Sequence, residues 1–155
     1  MKIKIGEATT ESFRKFGSVF KTPRGAPLAE SNLFRYWSDV ARCTIEGQTE
    51  IGWCTVFKQP AMEVSGLERH LRTPELLIPV DAPFILPVLG EGDPAEKLEA
   101  FRVEVGEAVV IGDGVWHGAC IPVGKKESSY FVIFRRGTPA EDVVKKEIPA
   151  VTLEE

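Results

Sequence analysis

From Val40 onward the chain is a succession of short β-prone runs, each closed by Gly, Pro or Asp. The runs are Arg42–Ile45, Ile51–Phe57, Ala61–His70, Glu75–Val80, Phe84–Leu89, Leu98–Val103, Ala108–Ile111, Val115–Ala119 and Tyr130–Arg135. Strands this short and this regularly punctuated predict an all-β sandwich or barrel. Ahead of them Lys2–Ile5 alternates polar and apolar. Thr10 can cap a short helix that packs Phe13 and Phe16 and stops at Gly17, a left-handed residue beyond the helix end. The polar stretches Thr22–Asn32 and Gly90–Lys97 read as loops, and Pro122–Ser128 as a turn. Beyond Thr138, Pro139-Ala140-Glu141-Asp142 suits a helix start, whereas Val143, Val144 and Ile148 suit a strand. A final edge strand is the preferred reading.

With 155 residues, 1–155 is expected to be one domain, long enough to bury about two-thirds of its unfolded surface without disulfides or a structural metal. Its 19 basic and 23 acidic side chains give a net charge of −4. The basic residues come in scattered pairs and form no stripe for a phosphate backbone, which argues against nucleic-acid binding. Leu76–Gly90, the most apolar stretch, is cut by Pro79, Asp81, Pro83 and Pro87, so no membrane helix is expected. The N-terminus MKIKIGEATTESF lacks a secretory apolar core, and three cysteines, Cys43, Cys54 and Cys120, fit a reducing cytoplasm.

Only two histidines occur, and both have telling neighbours. On a strand Glu68 and His70 share a face while Arg69 points away, and a turn at Thr73-Pro74 can return Glu75 beside them. His117 follows Gly112-Asp113-Gly114, where the glycines force a sharp turn. One polar pocket can therefore gather Glu68, His70, Glu75 and His117. Cys120, three residues beyond His117, reads as a small buried hydrophobe before it reads as a nucleophile.

This spacing resembles the cupin superfamily. Glu68, His70 and Glu75 occupy the slots of its first motif, with Glu68 in place of a histidine. Gly106, Gly112, Gly114 and His117 occupy the slots of its second, with Gly112 in place of a proline. The resemblance implies a double-stranded β-helix, or jelly-roll, barrel with an interior site for a divalent metal or a polar small molecule. Two imidazoles and two carboxylates suit Ni, Mn, Zn or Fe, although a metal-free site is an alternative. A narrower resemblance runs from Met1 to about Ile148. Glu11-Ser-Phe-Arg-Lys-Phe16-Gly17, Asn32, Arg35-Tyr36, Gln59-Pro60, Leu67-Glu68-Arg69-His70, Ile78-Pro79, Ala100-Phe101 and Val115-Trp116-His117 are similar to the ureidoglycolate lyase family. That family splits ureidoglycolate into glyoxylate and urea. The chain differs from its usual pattern in carrying Glu75 for a glutamine and Gly118 for a second histidine.

The resemblance implies a carbon–nitrogen lyase with a small-molecule substrate, assembled as a homodimer. His117 or Glu75 is expected to act as base, and His70, alone or with a metal, to polarise the substrate hydroxyl. Lys58 and Arg35 are the expected partners of the substrate carboxylate. The competing readings are another metal-dependent cupin enzyme, an isomerase or dioxygenase, and a non-catalytic binding barrel.

Overall fold

The computed structural model describes all residues, Met1–Glu155. β1 (Lys2–Lys4) and β2 (Gly6–Glu7) open the chain, α1 (Thr10–Phe13) follows, and β3 (Gly17–Phe20) leads to a hairpin of β4 (Ala29–Glu30) and β5 (Arg35–Tyr36). Next come β6 (Thr49–Phe57), β7 (Glu63–Arg69), β8 (Glu75–Pro79), β9 (Phe84–Leu89), β10 (Glu99–Val103) and β11 (Ala108–Ile111). β12 (Trp116–His117), β13 (Ile121–Pro122), β14 (Glu127–Arg135), α2 (Thr138–Glu141) and β15 (Val144–Glu154) complete it.

Two sheets hold the fold. The larger has the order β1-β15-β7-β12-β9-β10-β2 with β13 attached to β9, and the smaller β3-β11-β8-β14-β6. β1 and β2 pair in parallel with β15 and β10, at opposite ends of the larger sheet, so residues 2–7 curl that sheet back on itself. This is the expected all-β jelly-roll barrel with a short N-terminal helix. β9 is buried throughout because it separates two cores. Phe84, Leu86 and Val88 join the core that includes Phe13, Phe16, Phe101 and Tyr130, while Ile85 and Leu89 join Val64, Leu67, Trp116 and Val151.

Local chemistry accounts for the departures from the sequence reading. Thr9, not Thr10, caps α1: its hydroxyl accepts from the Ser12 amide at 3.0 Å, and the Ser12 hydroxyl accepts from the Thr9 amide at 3.0 Å. The helix ends at Phe13, and Gly17 serves another purpose. With φ of +148° it starts β3, where an added Cβ would lie 1.8 Å from the Val110 carbonyl oxygen. Gly17→Ala is therefore expected to pry β3 from β11 and cost about 3 kcal/mol, a loss of roughly 6–12 °C in melting temperature. Calorimetry checks this, and an unchanged melting temperature would refute the close-packing role.

Arg42–Ile45 is not a strand; it lies in a segment, residues 22–49, that contains no buried residue at all. Both readings of the tail occur in succession. Pro139 sits in the first turn of α2, and β15 follows not as an edge but between β1 and β7. No helix is long and apolar enough to cross a membrane.

Candidate active site

The site lies between the two sheets, where β7, β12 and β15 face β8 and β14. β12 pairs His117 with Glu68, and β15 pairs Lys145 with Glu68 from the other side. Ile111 of β11 pairs with Glu75 at the start of β8. Gly114, in the left-handed region at φ of +76°, lets the chain turn so that its amide donates to the His70 carbonyl at 2.7 Å. That bond ties the two histidine-bearing segments together.

His70 is 4% exposed, Glu75 7% and His117 4%. The ring of His70 donates from Nδ1 to the Asp142 carbonyl oxygen at 2.7 Å, and its Nε2 lies 3.1 Å from Glu75 Oε2. Asp142 is itself fastened, because its carboxylate accepts the amides of Leu71 and Arg72 at 2.9 and 2.8 Å. A single residue thus orients the imidazole and pins the loop that follows it. His117 places Nδ1 3.2 Å from the Val115 carbonyl oxygen. Its Nε2 is 2.9 Å from the same Glu75 Oε2 and 3.9 Å from Glu68 Oε1, yet no partner lies on the line a hydrogen bond requires. The nitrogen is buried and orphaned, aimed at a point that Glu68 and His70 also face.

Charge follows from this packing. Burial pushes the Glu75 carboxyl upward, but the His117 and His70 imidazoles outweigh it and hold the group at about 2. Burial works against a charged His70 as well, and the Glu75 hydrogen bond and the Asp142 carbonyl outweigh it, so its pKa is raised. Asp142 is likewise opposed by burial and lowered overall by the two amides it accepts.

The donor atoms of Glu68, His70 and His117 lie within 4.8 Å of one another. Imidazole nitrogens and a carboxylate suit a first-row divalent ion, and the orphaned Nε2 of His117 is the kind of atom such an ion satisfies. The residues fit a metal. Two depressions of about 600 and 700 Å³ flank them and share Cys54, Glu68, Glu75, Tyr130 and Lys145.

The four residues expected to converge, Glu68, His70, Glu75 and His117, do so. Lys58 and Arg35 do not join them, since neither lines the depressions. Arg35 is exposed on the β4–β5 hairpin and pairs with Glu30 at 2.7 Å. Lys58 lies just past β6, where its backbone pairs with Lys126. The cation at the site is instead Lys145, which no carboxylate neutralises; Lys146 has its ammonium 4.5 Å over the Trp116 ring. Only the register of β15 reveals it, and the Lys145-Lys146 pair by itself carried no such signal. Trp116 points away from His117, as expected, stacked under Arg69 at 4.5 Å. Cys120 lines one depression, and burial raises its thiol so that it stays protonated, which removes it as a nucleophile. At Gly118 a Cβ would meet Pro87 and Val64 at 3.3–3.4 Å, so the side chain absent here leaves no vacant slot.

Known proteins resemble this chain along most of its length. Curated proteins named ureidoglycolate lyase from two strains of Burkholderia mallei are 30% identical over 155 residues, covering 95% of this chain and 89% of theirs. Ureidoglycolate lyase 2 of Rhizobium meliloti is 28% identical over 134 residues, covering 81% of this chain and 80% of its own. Among solved structures, a Bacillus subtilis oxalate decarboxylase mutant aligns with 64% of this chain and 24% of its own at 13% identity and a TM-score of 0.45. The model of the ureidoglycolate lyase family matches residues 1–153, a span holding every residue of the site from Glu68 to Lys145, and the chain belongs to that family.

Proposed function

We propose that this protein is a cytoplasmic carbon–nitrogen lyase that splits ureidoglycolate into glyoxylate and urea. The observation that carries the reading is the convergence of Glu68, His70, Glu75 and His117 beside Lys145, in a chain matched by the family throughout. Ureidoglycolate is a carbinolamine bearing a carboxylate. Its lysis removes the hydroxyl proton as the carbonyl forms, breaks the carbon–nitrogen bond and returns a proton to the departing urea nitrogen. The hydroxyl and the nitrogen sit on one carbon, so a single group can take the first proton and deliver it to the second site.

Glu75 is that group. It is fixed between two imidazoles and borders both depressions. A carboxyl held at about 2 is a weak base that gives the proton up readily, which suits passing it on to the departing nitrogen rather than keeping it. His70, His117 and Glu68 would hold a divalent ion, which when bound supplies Lewis acidity at a substrate oxygen. Asp142 keeps the His70 ring in the tautomer whose Nε2 faces the cluster. Lys145 offers its ammonium to the substrate carboxylate from the rim. The three free thiols fit a reducing compartment.

The test is urea release from ureidoglycolate by purified protein, with glyoxylate measured in parallel. One urea per glyoxylate is expected, lost after chelation and restored by nickel, manganese or zinc. In the same assay Lys145→Ala should raise KM about tenfold with little change in kcat. Turnover that persists in chelator would remove the metal from the reading. A folded protein that releases no urea under any of these conditions would overturn the activity.

A further inference from the structure

Of the five residues that line both depressions, Glu68, Glu75 and Lys145 have work in the reaction above, whereas Cys54 and Tyr130 have none. The two stand directly opposite each other across the β6–β14 pair and so share the inner face of the smaller sheet. Tyr130 is only 6% exposed, with its ring 5.1 Å from that of Phe84. Its hydroxyl lies beside the thiols of Cys54 and Cys120 and bonds no oxygen or nitrogen of the chain. Thiols are weak acceptors, so this O–H still has a strong hydrogen bond to give. Burial, with Cys120 and Cys54 alongside, pushes the phenol well up, and it keeps its proton.

The two ends of the depression differ in charge. Lys145 is exposed at the mouth, on the larger sheet, in register with Glu68. Tyr130 is on the facing sheet, packed with Leu77 and Cys120 and with Cys54 and Val56 against them. All four of these neighbours line the same depression and none is charged. A carboxylate placed at this buried end would lose its hydration with no cation to offset the loss, and Glu75 borders the same space. A ureido group is flat and neutral and carries a carbonyl acceptor, which is what this end can hold. Ureidoglycolate has one end of each kind.

We propose that Tyr130 forms the ureido subsite of this enzyme, its hydroxyl donating to the ureido carbonyl oxygen while Lys145 holds the substrate carboxylate at the mouth. The inference rests on the lyase reading above. The same hydrogen bond has a use in the reaction. As the carbon–nitrogen bond breaks, its electron pair passes to the urea nitrogen and, by conjugation, in part to the carbonyl oxygen. A donor fixed on that oxygen stabilises the charge until the proton that Glu75 takes from the hydroxyl is returned to nitrogen. Tyr130 keeps its own proton throughout.

Tyr130→Phe removes the hydroxyl and leaves a ring to pack on Phe84. Two probes separate the ends of the site. Ureidoacetate has the carboxylate and the ureido group but no hydroxyl to start the cleavage; glycolate has the carboxylate and the hydroxyl but no ureido group. By calorimetry the variant should bind ureidoacetate roughly tenfold more weakly than wild type and glycolate equally well. Its kcat on ureidoglycolate should fall roughly a hundredfold. A merely structural role for the hydroxyl would weaken both ligands together. A variant that binds ureidoacetate as wild type does, or that loses both ligands alike, would overturn the proposal, as would a wild type that does not bind ureidoacetate. Because ureidoacetate is not cleaved, this result is separate from turnover. A wild type that releases no urea yet binds ureidoacetate through Tyr130 would refute the lyase and leave the subsite standing.

Discussion

His117→Ala is expected to lower urea release on the order of a thousandfold while the protein stays folded. The ring pairs with Glu75 through Nε2 at 2.9 Å and belongs to neither hydrophobic core, so the barrel should survive its loss at a modest cost in stability. Its removal takes away one donor of the cluster with Glu68 and His70, and one of the two imidazoles that keep Glu75 ionised. Metal affinity and the charge of the base both suffer, which is why the loss should exceed that of any single contact. Steady-state kinetics, with circular dichroism to confirm the fold, decide the matter. A variant retaining near-full rate would exclude His117 from the site's chemistry.

Glu75→Gln separates charge from shape and should lower kcat by about a hundredfold to a thousandfold with KM nearly unchanged. The amide keeps an oxygen for the His70 contact at 3.1 Å but cannot accept the hydroxyl proton. Glutamine is the residue the family usually carries here, yet this chain also has Gly118 where the family has a second histidine. The carboxylate thus supplies a basic group that the missing imidazole does not, and the glutamine variant would leave neither. The same substitution changes acid stability. With a folded pKa of about 2, below its ordinary value, Glu75 stabilises the fold above the usual carboxylate range, and that contribution is lost as pH falls toward 2. The variant should therefore melt with a shallower dependence on pH below 5 or so. An unchanged kcat would show that Glu75 positions groups without moving a proton.

Periodicity and punctuation were enough to read most of the barrel. Alternation and turn residues act locally, so Ile51–Phe57, Glu75–Val80 and Ala108–Ile111 appear as strands within a residue or two of the expected limits. The four-residue centre was legible for a related reason: Glu68, His70 and Glu75 are bound by one strand, turn and strand, and the glycines before His117 announce a fixed turn. What lay outside local chemistry was invisible. Gly17 reads as a helix stop, and only the approach of the Val110 carbonyl shows that β3 needs it. Asp142 looked like part of a helix start, whereas its carbonyl orients His70 from seventy-two residues away along the chain.

The cations show the same division. Lys58 and Arg35 were expected at the site because of their neighbours in sequence, but neighbours in sequence do not fix which face of which sheet a side chain reaches. Lys145 reaches it because β15 pairs with β7 in a register that sets it beside Glu68, and that register depends on residues throughout both strands. By itself, then, the sequence determined an all-β chain with two histidines and two carboxylates able to meet, since strand period and turn chemistry are local. Tertiary structure alone decided which cation faces them, what holds His70, and that the Tyr130 phenol lines the same space, because those follow from pairings between segments far apart in the chain.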